Sequence, residues 1–155
     1  MTRLRRLRLA ISEDLATPGG IWLGLRMLGW ALALPVLKHV LPIGRLARLM
    51  WSDSHRRARV SPARVPRLAQ RISGVIPYPS RDNCLERSLL AYRFLSMAGE
   101  DPRLVLGVNA SQGNVRGHAW LTLNGRPVFD ETGNDYPPLV VFGPKGERRE
   151  LTAAV

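Results

Sequence analysis

Cys84 is the only cysteine in this 155-residue chain. It stands in Arg81-Asp82-Asn83-Cys84-Leu85-Glu86-Arg87-Ser88-Leu89-Leu90, where a polar turn leads into a helical pattern. Downstream come His118, in Gly117-His118-Ala119-Trp120, and then Asp130. A thiol in the first turn of a helix sits in the positive end of the helix dipole, which favours thiolate. A histidine can take the thiol proton, and a carboxylate can orient that histidine. Together, Cys84, His118 and Asp130 would attack an amide or ester carbonyl and pass through a thioester. The oxyanion would be held by the backbone N–H of Cys84 and one further donor, for which Asn83 is a candidate. Trp120 and Asn83 are the candidate substrate-binding residues.

These residues need elements to position them. Asp82 or Asn83 can cap a helix over about 84–98, and Gly99 follows its end. Leu85, Leu89, Tyr92 and Ser96 lie on one stripe of that helix, with Leu90, Phe94 and Met97 on neighbouring rows, so the helix is expected to be mostly buried. Residues 103–110 read as a strand, 111–114 as a turn, 115–123 and 126–132 as two further strands, and 139–142 as a last short one. Along 115–123, alternate residues share a face. Val115, Gly117, Ala119, Leu121 and Leu123 form the small or apolar side, which leaves His118 and Trp120 together on the other.

Which carboxylate faces His118 depends on the turn. A two-residue loop at Asn124-Gly125 pairs Leu123 with Arg126 and sets His118 opposite Glu131. A three-residue loop pairs Thr122 with Arg126 and sets His118 opposite Asp130. The second register also puts Phe129 on the apolar face beside Ala119, whereas the first leaves it beside Trp120. Burying Phe129 favours the three-residue loop and Asp130, with Glu131 in reserve.

The first half is different in character. A basic, Leu-rich segment runs to about residue 17 and ends in Thr17-Pro18-Gly19-Gly20. Its apolar part is interrupted by Ser12, Glu13 and Asp14, so a secretory signal is a poor reading. Residues 21–51 are strongly apolar and are expected to form helices over about 21–34 and 36–51, broken at Pro35. The longest uncharged run, Met27 to Leu37, is too short to span a bilayer. These helices are expected to cover the sheet, with a membrane-surface or partner-docking face as the alternative. Residues 52–80 are rich in Arg and Pro, with a short helix over about 62–73. The division expected is a basic, apolar helical region over 1–60 and a catalytic region over 61–155, forming one compact domain.

Composition limits the classes further. A formal net charge of +11, mostly arginine and mostly in the first half, favours acidic partners. Nucleic acid is a weak candidate, because no aromatic-interleaved RNA motif accompanies the arginines. One cysteine excludes an internal disulfide framework and points to a reducing cytoplasm. Cys84 with His39, His55 and His118 does not make a zinc site, so no metal or cofactor is implied.

Asn83-Cys84-Leu85-Glu86-Arg87-Ser88-Leu89, Gly117-His118-Ala119-Trp120-Leu121 and Asn124-Gly125-Arg126-Pro127-Val128-Phe129-Asp130 together resemble the transglutaminase-like cysteine peptidase of lasso-peptide biosynthesis, the B protein that removes the leader from the precursor. The resemblance covers about residues 60–142; the helices before residue 60 match only in style. It implies an α+β, papain-like fold with N-terminal helices on a small antiparallel sheet. It also implies hydrolysis of the leader–core amide by Cys84 as nucleophile, His118 as base and Asp130 as orienter. The first 80 residues do not read as a β-rich recognition domain, so the chain resembles the split form. That form implies a separate leader-binding protein, the precursor leader peptide and a macrolactam-forming cyclase as partners. An acyltransferase using the same triad, or a non-enzymatic basic adaptor for membrane or nucleic acid, are the competing readings.

Overall fold

The computed structural model describes residues 17–53, 60–76, 83–111, 114–129 and 136–151. Among them are four helices and a five-stranded antiparallel sheet, an α+β arrangement.

The first helix, α1 (Pro18–Val40), begins as its sequence dictates. Pro18 occupies the first turn, where its missing N–H costs nothing, and the Thr17 hydroxyl accepts from the Gly20 N–H at 3.2 Å. Leu23, Met27, Ala31 and Leu34 follow one another at helical spacing and are buried. Pro35 does not break this helix, contrary to the expectation from sequence. An interior proline costs about 3 kcal/mol locally, but burial of Leu34 on one side and anchoring of Lys38 beyond it hold the turn in place. The break falls instead at Leu41, which precedes Pro42 and adopts the extended conformation that a following proline favours. Helix α2 (Ile43–Met50) then buries Leu46, Ala47 and Met50. Helix α3 (Val65–Val75) buries Val65, Leu68 and Ala69, with Pro66 in its first turn.

Helix α4 (Cys84–Met97) lies at the centre. It packs on the sheet along one side and against α1, α2 and α3 on the others. Its burial is therefore nearly complete, from Glu86 to Met97 apart from Arg93. Gly99, at φ +91°, lets the chain turn back so that the Glu100 N–H reaches the Leu95 carbonyl. Tyr92, fully buried, donates its hydroxyl to the Gly143 carbonyl and so fastens the helix to the far side of the sheet.

The strands are β1 (Pro102–Ser111), β2 (Asn114–Leu123), β3 (Arg126–Pro127), β4 (Pro138–Phe142) and β5 (Arg148–Glu150), in the order β3-β2-β1-β4-β5. Leu104, Leu121, Val140 and Phe142 join the helices in one apolar core. The last strand and the 3-10 turn before it, Pro144–Gly146, were not expected from the sequence. Polar Arg148, Arg149 and Glu150 carry no strand pattern, and they pair only because β4 offers an open edge.

The turn after β2 corrects the expected register. Leu123 pairs with Arg126, and Asn124 and Gly125 both have positive φ, the signature of a two-residue type I′ loop. Phe129 is nevertheless buried. After the Val128 N–H bonds the Leu121 carbonyl, the chain bends out of the ladder and carries Phe129 under the Arg87 guanidinium, 4.8 Å from the ring centroid. Burial of Phe129 was the right premise, but a bend satisfies it and the three-residue loop is not needed. The third strand accordingly ends at Pro127 rather than continuing to 132. Asp130 and Glu131 lie outside the described residues.

Candidate active site

Cys84 is the first residue of α4 and is half-buried. The preceding Asn83 occupies the cap position, but its side chain does not cap. One amide N–H of Asn83 goes instead to the Ser73 carbonyl at 2.6 Å, which ties the end of α3 to the start of α4. The Asn83 carbonyl accepts the first helical bond, from Arg87 N–H at 3.0 Å. The N–H groups of the opening turn, that of Cys84 among them, therefore precede the helical ladder and point out of the helix end, the arrangement that receives an anion.

The alignment of α4 with β2 fixes the height of Cys84. The Ser88 hydroxyl donates to the Ala119 carbonyl at 3.3 Å. Seven residues on, Leu95 lies in the same cavity wall as Leu123. Helix and strand thus advance together. From Ser88 back to Cys84 is one turn, about 6 Å, which equals roughly two strand residues at about 3.3 Å each. Cys84 therefore comes level with Gly117 on the face of β2 that α4 covers, while the His118 side chain projects from the opposite face. Gly117 has the same parity as buried Ala119, yet it is exposed, and among the described residues a Cβ built there would find only the Gly107 carbonyl, 4.0 Å away. The cover over β2 thus opens beside the first turn of α4.

His118 is half-buried and pairs with Gly107 across the ladder. Its ring stacks on Trp120 at 5.9 Å between centroids and meets Tyr136 at 5.0 Å. The small residue opposite makes this possible. A Cβ on Gly107 would come within 2.8 Å of the Tyr136 carbonyl and 2.9 Å of both the Pro137 carbonyl and the Trp120 ring. Tyr136 lies in a turn-rich stretch and was not singled out in the sequence; no local signal links it to His118. Alternation sets His118 on the face opposite Ala119, as the sequence implied. Among the described residues, the last contact along the outer edge of β2 toward His118 is that of Leu121 with Val128.

One charged pair also reaches this region. Glu86, two residues after Cys84, is buried and paired with Lys38 near the end of α1. A carboxylate in the first turn suits the helix dipole, and Lys38 balances its charge. No local pattern announces this pairing across 48 residues.

The sequence profile of the transglutaminase-like superfamily matches residues 24–141. The chain belongs to this superfamily. The match begins inside α1, so the family pattern includes the apolar helices as well as the sheet. Transglutaminase-like proteins have the fold of cysteine peptidases and acyltransferases and are typically cysteine-based enzymes. No curated protein and no solved structure matches the chain.

Proposed function

We propose that this transglutaminase-like protein is a cysteine peptidase that removes the leader from a ribosomally made lasso-peptide precursor. The observation that carries the cysteine chemistry is the position of Cys84. The chain's one thiol opens the central helix beside the exposed Gly117, the residue before His118. A thiol buried for packing alone would sit further along α4, among Leu89, Leu90 and Phe94.

In the proposed reaction His118 takes the Cys84 proton. The thiolate then adds to the carbonyl of the leader–core amide. The oxyanion rests on the Cys84 backbone N–H, aided by the dipole of α4. The proton returns from His118 to the leaving amine, and the C–N bond breaks to leave a thioester. Water, deprotonated by His118, hydrolyses that thioester and frees the thiol. The resemblance gives the role of orienting His118 to Asp130, and the two-residue loop after β2 makes Glu131 the alternative carboxylate. The rings of Trp120 and Tyr136 restrict the imidazole and flank the substrate. The lasso assignment rests on the resemblance of the segments around Cys84, His118 and Asn124–Asp130, and it brings a cytoplasmic setting, a separate leader-binding protein and a cyclase as partners.

The test is reconstitution with a lasso precursor and its leader-binding protein, followed by mass spectrometry. Leader and core peptides released by wild type, and by neither Cys84→Ala nor His118→Ala, support the proposal. An amine-linked adduct in place of two free peptides would assign the same residues to acyl transfer instead.

A further inference from the structure

The outer face of α1 is apolar and exposed, and no described element packs on it. Ile21, Leu25, Leu28, Leu32, Val36 and Val40 recur at helical spacing and are 40–71% exposed. They form a stripe from end to end of the helix, about 28 Å at 1.5 Å per residue. The opposite stripe of the same helix is core, so α1 cannot be surrounded by lipid while the fold is intact, even though its length and composition would allow it to cross a bilayer. Beside the stripe, α1 and α3 enclose an apolar cleft of about 270 Å³, walled by Leu25, Leu28, Leu68, Ile72 and Val75 with Arg71 at its rim.

Charge identifies what covers this face. Residues 1–81 hold 15 Lys and Arg against 3 Asp and Glu, whereas residues 82–155 hold 8 against 9. The whole net charge thus belongs to the half that bears the stripe. From Pro18 to Val75 the single acidic residue is Asp53, and it is engaged by the Trp51 indole N–H at 2.7 Å. Basic residues border the stripe on both sides. Arg26 lies over the exposed Trp22 ring at 4.4 Å on one flank, and Arg71 stands at the cleft on the other. A long convex apolar ridge with Trp and Arg at its borders, on an acid-poor surface, matches the headgroup boundary of an anionic bilayer.

We propose that the outer face of α1, with the α1–α3 cleft, seats the protein on an anionic lipid surface. The apolar ridge lies among the acyl chains, the cleft receives part of one chain, and the arginines meet the phosphates. The proposal does not depend on the reaction at Cys84.

The test is co-sedimentation of the full chain with vesicles of phosphatidylglycerol and phosphatidylcholine in equal parts, and with phosphatidylcholine alone. Three variants are compared with wild type: Leu25→Gln/Leu32→Gln/Val36→Gln, Arg26→Gln/Arg71→Gln, and Trp22→Phe. All the apolar positions replaced are exposed, and circular dichroism verifies the fold. Wild type is expected on the anionic vesicles, with weakening as salt rises. The triple variant should bind at least tenfold more weakly, and each arginine removed should cost about fivefold. A blue shift of fluorescence on binding should shrink in Trp22→Phe. Equal binding of wild type and triple variant would overturn the proposal. So would absence of binding to either vesicle, with or without a concentration-dependent dimer that the triple variant abolishes; the dimer would assign the ridge to a second copy of the chain.

Discussion

Lys38→Met is the most informative perturbation of the scaffold, because it strips the counter-charge from a carboxylate that has almost no access to water. The Glu86 side chain is 2% exposed, and that of Lys38 is 19%. Breaking one side of a buried pair costs about 3–5 kcal/mol, because the remaining charge is left uncompensated. The partial exposure of Lys38 places this pair at the low end, about 3 kcal/mol. For a domain of this size each kcal/mol moves Tm by about 2–4 °C, so Lys38→Met should lower Tm by about 6–12 °C in a calorimetric scan. Lys38→Met/Glu86→Leu should recover most of that loss, since replacing both partners by apolar groups is often neutral. The single variant should also slow alkylation of Cys84, because a thiolate forms less readily two residues from an unbalanced carboxylate. A Tm change under about 2 °C for Lys38→Met, or a double variant no more stable than the single one, would refute the reasoning.

Other substitutions probe separate parts of the structure. Gly107→Ala places a methyl group within 3 Å of the Tyr136 and Pro137 carbonyls and the Trp120 ring; it should cost about 1–3 kcal/mol in urea unfolding and reduce turnover by displacing the rings beside His118. Gly29→Ala, with nothing within 4 Å of its added Cβ and in the exposed interior of α1, should stabilise the protein by about 0.5–1 kcal/mol in the same assay. Burial pushes the Tyr92 phenol well above its ordinary range. A phenol kept neutral by the fold contributes fully below about pH 10, the ordinary tyrosine value, and that contribution is lost as pH rises beyond it. Tyr92→Phe should therefore cost about 0.5–1.5 kcal/mol near pH 8 through loss of its bond to the Gly143 carbonyl. The gap to wild type should narrow when unfolding is repeated near pH 10.5.

Local chemistry carried most of the fold. The start of α4 at Cys84, its end before Gly99, and strands β1, β2 and β4 all follow from patterning and turn residues. Two errors share one cause, which is that tertiary packing overrode a correct local preference. Pro35 does disfavour a helix, but Leu34 and Lys38 are held on either side of it. Phe129 does seek the core, but it arrives by a bend under Arg87 and not by the register its burial suggested. The contacts around the site that joined distant segments left no trace in the sequence. Lys38 with Glu86, Asn83 with Ser73 and Tyr136 with His118 each depend on where whole elements dock.

The central claim is that Cys84 is an activated nucleophile served by His118. Intact-protein mass spectrometry at a limiting dose of iodoacetamide, between about pH 6 and 8, tests it directly by comparing wild type with His118→Ala. The account predicts fast, single modification of Cys84 in wild type that slows in the variant. Modification at the rate of an ordinary thiol, unchanged by the loss of His118, would contradict it and make Cys84 a packing residue at the end of α4.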